Sequence, residues 1–406
     1  MTDIRKFLGI KIESPFWDEA YRKALDEPGI PEWLTPEFID MLNEDYDVLP
    51  RTYGVISAAL PHVTAVAELC LFAKTLYHVL DRRLPYSKTF TSFEMPRCEK
   101  NGENALGYSC VAVFPVLAHV HKTWQELTLR GLPKDVKRDS LRWVDFLFDE
   151  AIRKSAKTEY SLNCFKPYSV AIYVNSLIIG RLRFEICENS SYPVRILKSA
   201  DGRLMPLMDG AMIHPSGHLL GTYGFEDGSD AYSANLYEGA DFYEGYSVNP
   251  TTRLVEPRRI RLSKTEWKEV YKSGDSVLKV HIPYGGRLDK DTCRESYERA
   301  DKIFKESYPE YSFTSFMLEC WMLSPELRDI LPPESNIISF RKPYTVYPVK
   351  NSAEDALLYV YGLENTKISD IDIEALPESN SLQRGVKSKL LSGRPIYEFG
   401  GYMPLQ

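Results

Sequence analysis

The sequence predicts an α+β protein: a helical N-terminal domain over residues 1–158, a mixed β-sheet domain flanked by helices over 159–363, and a C-terminal extension over 364–406. Three observations predict it. Up to about Tyr160, apolar residues recur three and four apart, as on one face of a helix. Beyond that point, alternation by two and Gly- or Asn-containing turns take over. Residues 276–323 then read as strand, Gly-rich turn, helix and strand, the order of a right-handed βαβ unit with two parallel strands side by side.

The composition suits a folded, water-exposed chain. Of 406 residues, 44% are hydrophobic and 26% charged, enough for two domains with a substantial core. A formal net charge of −7 argues against a general nucleic-acid surface, while leaving room for a local basic pocket. Seven cysteines, an odd number without a CxxC, fit reduced thiols in the cytosol better than a disulfide framework. The N-terminus lacks the basic start, apolar core and small-residue cleavage site of an export signal, so a cytoplasmic location is expected. The most apolar region, residues 55–80, is broken by Pro61, His62, Glu68 and Lys74, which favours a buried helix over a membrane span.

In chain order, PFWDEAYRKAL, VTAVAELCLFAKTLYHVL, VAVFPVLAHVHKTWQEL and SLRWVDFLFDEAIRKSA are the helices of the first domain. His119 and His121, two apart on a helix, point away from each other and cannot share a metal. In the second domain VAIYVNSLIIGRLRFEI, YPVRILK and GRLMPLM read as strands, with Asp201-Gly202 turning between the last two. Residues 222–246, rich in Gly, Tyr and acids, read as a long loop. PRRIRLSKTEWKEVYKSG reads as a short helix, with Ser263 and Glu266 in capping-box register and Gly274 as its stop. SPELRDIL and AEDALLYVYGL are further helices, NIISFRKPYTVYPV a strand pair, and residues 384–391 a last helix.

The central unit opens with SVLKVHIP, in which Leu278, Val280 and Ile282 alternate with Val277, Lys279 and His281. Pro283 stops the strand and Gly285-Gly286 make the turn. Thr292 and Glu295 stand in capping-box register for the helix that follows. FTSFMLECWML returns as a strand buried on both faces. A Gly-rich turn at a helix N-terminus is a place where backbone amides gather an anion such as a pyrophosphate.

On VHIPYGGRLDKDTCRES and YSFTSFMLECWMLSPELRDILPPESNI, the chain is similar to the GNAT superfamily of acyl-CoA-dependent N-acyltransferases. More closely, it resembles a bacterial acyltransferase family with a helical N-terminal domain and a GNAT-like C-terminal domain. The two stretches cover about a tenth of the chain, and the domain order covers most of it. The resemblance implies that the two strands splay and admit the arm of acetyl-CoA or another acyl-CoA, which adds like a strand. A small-molecule amine would attack the thioester, and no metal is implied. Val280, Ile282, Gly285, Gly286, Arg287, Leu288 and Arg294 would contact the cofactor, with a main-chain N–H near His281 or Ile282 supporting the oxyanion. The sequence departs from the superfamily's Arg/Gln-x-x-Gly-x-Gly/Ala pattern: it has a single Gly pair, then Arg287, with Asp289 and Asp291 where phosphates would sit.

Each candidate catalytic residue has two readings. His281 is a base with a suitable intrinsic pKa, or a hydrogen-bonded histidine at the sheet surface. Glu319, set in an apolar run, is a base with a raised pKa or half of a salt bridge. Cys320 is an acyl nucleophile or a core thiol. Glu185 faces the incoming amine or pairs with Arg181 and Arg183. Tyr344 or Tyr347 is a candidate acid, and His214 with His218 forms a loop pair rather than a metal site. Arg253, Arg258, Arg259 and Arg261 receive a nucleotide phosphate or line a solvated strand edge. Two other classes stay open: a non-catalytic protein on the same fold that binds a metabolite or partner, and a carbohydrate-active enzyme with Glu185 and Glu319 as its carboxylate pair.

Overall fold

The computed structural model describes residues 4, 15–81, 103–154, 175–283 and 285–405. It divides into two compact units, Met1–Ile179 and Gly180–Gln406.

The first unit contains α1 (Pro15–Asp26), α2 (Pro36–Glu44), α3 (Tyr53–Thr64), α4 (Ala67–Asp81), α5 (Ala105–Cys110), α6 (Val113–Leu129) and α7 (Lys134–Lys154), followed by β1 (Ser176–Ile179). Local chemistry sets the boundaries. Thr35 Oγ1 accepts from Phe38 N–H and Pro36 occupies the first turn, so α2 starts there. Asp145, buried on α7, accepts from both the amide and the hydroxyl of Thr52 at 2.9 and 2.7 Å, and so ties α7 to the head of α3. The apolar region at 55–80 forms α3 and α4, bent by 116° at their junction. Among the described residues no single helix is long and apolar enough to cross a membrane. His119 Nε2 meets the Tyr77 carbonyl and His121 Nδ1 meets the Tyr46 hydroxyl, so the two imidazoles serve different neighbours.

The second unit contains β2 (Leu182–Cys187), β3 (Val194–Ser199), β4 (Leu204–Met208), β5 (Ala211–Ile213), β6 (Tyr232–Ala234), β7 (Tyr237–Glu238), β8 (Phe242–Val248), β9 (Val255–Ser263), β10 (Trp267–Tyr271) and β11 (Val277–His281). After these come α8 (Lys290–Ser307), β12 (Ser315–Cys320), α9 (Leu327–Ile330), α10 (Asn336–Phe340), β13 (Thr345–Pro348), α11 (Asp355–Tyr361), α12 (Ser381–Leu391) and β14 (Phe399–Pro404). One sheet runs β2-β11-β12-β14-β13, parallel only between β11 and β12. A second runs β10-β3-β4-β8-β7, with β9 also on β8. The two sheets share a core in which Tyr192, Ile196, Met208 and Tyr271 meet Val277, Met317, Tyr347 and Tyr402. The fold is α+β with a mixed, mostly antiparallel sheet, as predicted.

Four local expectations are corrected. The helix expected from PRRIRLSKTEWKEVYKSG is two strands, β9 and β10. Ser263 and Glu266 hold a turn, with Thr265 N–H donating to Ser263 Oγ and Glu266 N–H to the Ser263 carbonyl. Strand alternation prevails there because Ile260 and Leu262 pack inward while Arg259 and Arg261 reach Glu244. The long loop at 222–246 contains β6, β7 and most of β8. The first half of NIISFRKPYTVYPV is α10, capped by Ser335 Oγ on Ile338 N–H, and only its second half is a strand. Finally, β14, which the sequence placed in a C-terminal extension, lies inside the sheet between β12 and β13.

Candidate active site

The βαβ unit folds as read, and its two strands pair over a short distance. Near their starts, Thr314 N–H donates to the Ser276 carbonyl at 3.0 Å. The parallel ladder then registers Leu278 with Phe316 and Lys279 with Met317, and extends no further. Beyond it each strand is held from outside. Val280 and His281 register with Phe184 and Arg183 of β2, and Leu318, Glu319 and Cys320 with Gly401, Gly400 and Phe399 of β14. Toward the C-terminal ends no further pair of residues registers the two interior edges. Because Ser276 turns its carbonyl toward Thr314, strand alternation turns the backbone groups of Leu278, Val280 and Ile282 to the same interior edge.

One face of this region is apolar. Phe184, Leu278, Val280 and Phe316 lie beneath α8, whose Tyr297 ring sits 5.7 Å from Phe184 and 5.2 Å from Phe316. The Tyr297 hydroxyl bonds that of Tyr344, and both side chains are buried, so Tyr344 belongs to the core. Tyr347 is also fully buried, and burial raises its pKa well above the ordinary tyrosine value.

The opposite face is polar. His281 Nε2 and Glu185 Oε2 are 2.7 Å apart, and this hydrogen bond chiefly holds the Glu185 carboxyl below its usual range. Glu319 reaches solvent along part of its side chain, yet its carboxyl is surrounded closely enough that burial raises its pKa against the opposing field of Lys279. Lys279 Nζ lies 5.9 Å from the Tyr192 ring centre. Sequence reasoning missed Glu398, which immediately precedes β14. Burial first, then the charges of Asp355, Glu319 and Glu354, push its carboxyl up to about 7. The signal was present: an acid inside IYEFGG, the pattern that drew attention to Glu319.

Two expectations change here. Cys320 is buried, its thiol is pushed up to about 12 by burial, and its sulfur accepts from Met322 N–H at the turn after β12. This is the setting of a structural thiol. Glu185 and Glu319 lie on β2 and β12 with β11 between them. His281 already engages Glu185, so the two carboxylates are not a free pair facing one groove.

The turn after β11 is built by glycine and arginine. Gly285 and Gly286 have φ of 83° and 71°, which a Cβ would resist. Arg181 donates to the carbonyls of Pro283, Gly286 and Arg287 at 2.9, 3.2 and 3.2 Å, clamping the bend. The N-cap of α8 is Asp289, not Thr292: its carboxylate accepts from the amides of Asp291 and Thr292. The first helix amides expected to meet a phosphate thus carry an internal anion. Leu288 is buried, Arg287 is exposed, and Arg294 pairs with Asp291 and Glu298. Among the described residues no group of His, Cys, Asp and Glu is arranged to hold a metal ion.

The sequence pattern of the family described as the GNAT-like C-terminal domain matches residues 177–403. No functionally curated protein matches the chain. Solved structures do. An acyltransferase in complex with decanoyl-CoA and teicoplanin superposes with a TM-score of 0.56 at 17% identity, over 99% of this chain and 98% of its own. A mutant acyltransferase in complex with octanoyl-CoA gives 0.55 at 17% identity over the same shares. At that identity the likeness is one of fold.

Proposed function

Because the chain belongs to the GNAT-like C-terminal domain family, we propose that it transfers an acyl group from an acyl-CoA to an amine. The observation that carries this is the end of the β11–β12 ladder at Lys279 and Met317. It leaves an interior edge of backbone at Val280 and Ile282 to which an extended thioester arm can add.

In this reading the arm lies between the strands. The Gly285-Gly286 turn and Arg287 meet the phosphates, Leu288 supports the turn from within, and Arg294 stands on the first turns of α8. The amine nitrogen attacks the thioester carbonyl carbon, a main-chain N–H near Ile282 steadies the oxygen, and the carbon–sulfur bond breaks as the new amide forms. Glu319 takes the amine proton, since a raised carboxyl is a stronger base than an ordinary one. His281, oriented by Glu185, returns a proton to the departing sulfur.

Acetyl is the default acyl group under the family resemblance. The octanoyl- and decanoyl-CoA complexes of the similar structures make medium-chain acyl groups the alternative. The acceptor is a small amine, or an amine on a larger glycopeptide such as the teicoplanin held by one neighbour.

Isothermal titration with CoA, acetyl-CoA, octanoyl-CoA and decanoyl-CoA tests this. Saturable heat with at least one is expected. Heat with none would transfer the fold to the non-catalytic, ligand-binding reading. Thiol release on adding amines, each acyl-CoA in turn, then ranks donor and acceptor.

A further inference from the structure

Arg259 and Arg261 pair with Glu244. Arg253 stands apart and joins two arginines distant in sequence, Arg328 of α9 and Arg341 after α10.

Arg341 is 4% exposed, and its guanidinium donates to the carbonyls of Ser324 and Leu323 at 2.6 and 2.9 Å. Arg253 has a φ of 62°, an uncommon angle for a residue with a Cβ. Its Nε is buried without a hydrogen-bond partner. The strand behind it is fixed. Val255 N–H donates to the Gly217 carbonyl at 3.0 Å, and a Cβ on Gly217 would fall 2.7 Å from the Val255 carbonyl oxygen. Arg328 is exposed. Among the described residues, none of the three has a carboxylate within ion-pair distance.

Their fields overlap. Burial, then Arg328 and Arg253, push Arg341 down to about 10, and Arg328 acts likewise on Arg253. The acid that opposes this at Arg341 is Glu326, one oxygen of which accepts from Ser324 Oγ at 2.5 Å. Arg341 is the buried member, Arg253 is half-buried and Arg328 is exposed. A buried guanidinium without an ion-paired carboxylate is uncommon, because buried charge is normally paired. Guanidinium forks are suited to phosphate and carboxylate.

We propose that Arg253, Arg328 and Arg341 form a binding site for an oxyanion, a phosphate or carboxylate carried by a substrate. Arg341 ties the site to the turn that follows β12 through the Leu323 and Ser324 carbonyls. The inference does not depend on acyl transfer, and its test does not require turnover.

The test is thermal unfolding in sodium phosphate and in sodium acetate, each against sodium chloride at equal ionic strength. Phosphate or acetate should raise the midpoint of the wild type by about 2 °C or more beyond chloride, and Arg328→Gln and Arg253→Gln should lose that gain. Calorimetry with CoA then identifies the source. Binding weakened about tenfold or more in Arg328→Gln assigns the site to a phosphate of CoA. Unchanged CoA binding assigns it to the anionic group of the other substrate. The proposal is overturned if neither anion exceeds chloride in the wild type, or if both variants keep the full gain.

Discussion

His281 of β11 and Glu319 at the end of the neighbouring β12 each lie two residues beyond the last registered pair, Lys279 with Met317. Had the ladder continued, they would have been cross-strand partners on the polar face. Because it stops, the two residues are not registered with each other. The first prediction follows from this. Glu319→Gln and His281→Ala should each lower turnover by about tenfold or more, within the usual range for a lost general base or acid. Steady-state rates check it, and an unchanged rate removes that residue from the chemistry.

Glu185 acts through His281, at 2.7 Å. Glu185→Gln should slow the reaction in the wild-type background and have little further effect in His281→Ala. A double-mutant cycle measures the coupling. Independent, additive losses would show that Glu185 works elsewhere.

Glu398 carries a pH signature. Its carboxyl is raised to about 7 in the folded chain, above the ordinary glutamate value, so the folded state binds this proton more tightly than the unfolded state does. The resulting stability is present below pH ~4.3 and is lost as pH rises through about 7. Glu398→Gln, a neutral mimic, should therefore stabilise at pH 8, by on the order of 1–2 kcal/mol after allowing for partial exposure, and change little at pH 4. Denaturant titrations at the two pH values test this; an equal effect at both would contradict it.

Cys320 should behave as packing. Cys320→Ala should cost about 1–2 kcal/mol of stability while turnover stays within about twofold. Loss of turnover in a folded variant would restore it as a nucleophile.

Asp289 caps α8 with the amides that a pyrophosphate would otherwise seek. Asp289→Ala should lower the unfolding midpoint by removing the helix cap and tighten CoA binding, by removing a negative charge. Weaker CoA binding would mean that the cap shapes the phosphate site.

The parallel βαβ unit was legible because its signals are local: an alternating run, a proline, two glycines and an apolar helix face. The strands at 255–271 were misread because Ser263 and Glu266 carry capping-box spacing, whereas the deciding contacts, Ile260 and Leu262 against the core, come from distant strands. The place of β14 between β12 and β13 depends on pairing across 79 residues at Cys320 with Phe399, which no local pattern encodes. Glu319 was singled out by its apolar neighbours, and Glu398 was within reach of the same argument. The Asp289 cap, the Arg181 clamp and the arginine triad required coordinates, since each joins side chains to backbone or charges from separate segments.

Backbone hydrogen exchange at Val280, His281 and Ile282, with and without CoA, tests the central claim most directly. Occupation of the opening predicts that exchange at Ile282 slows markedly when CoA binds, while Ser315 and Phe316, already within or beside the ladder, change little. Saturable CoA binding with no change at Ile282 would place the coenzyme elsewhere and contradict the account.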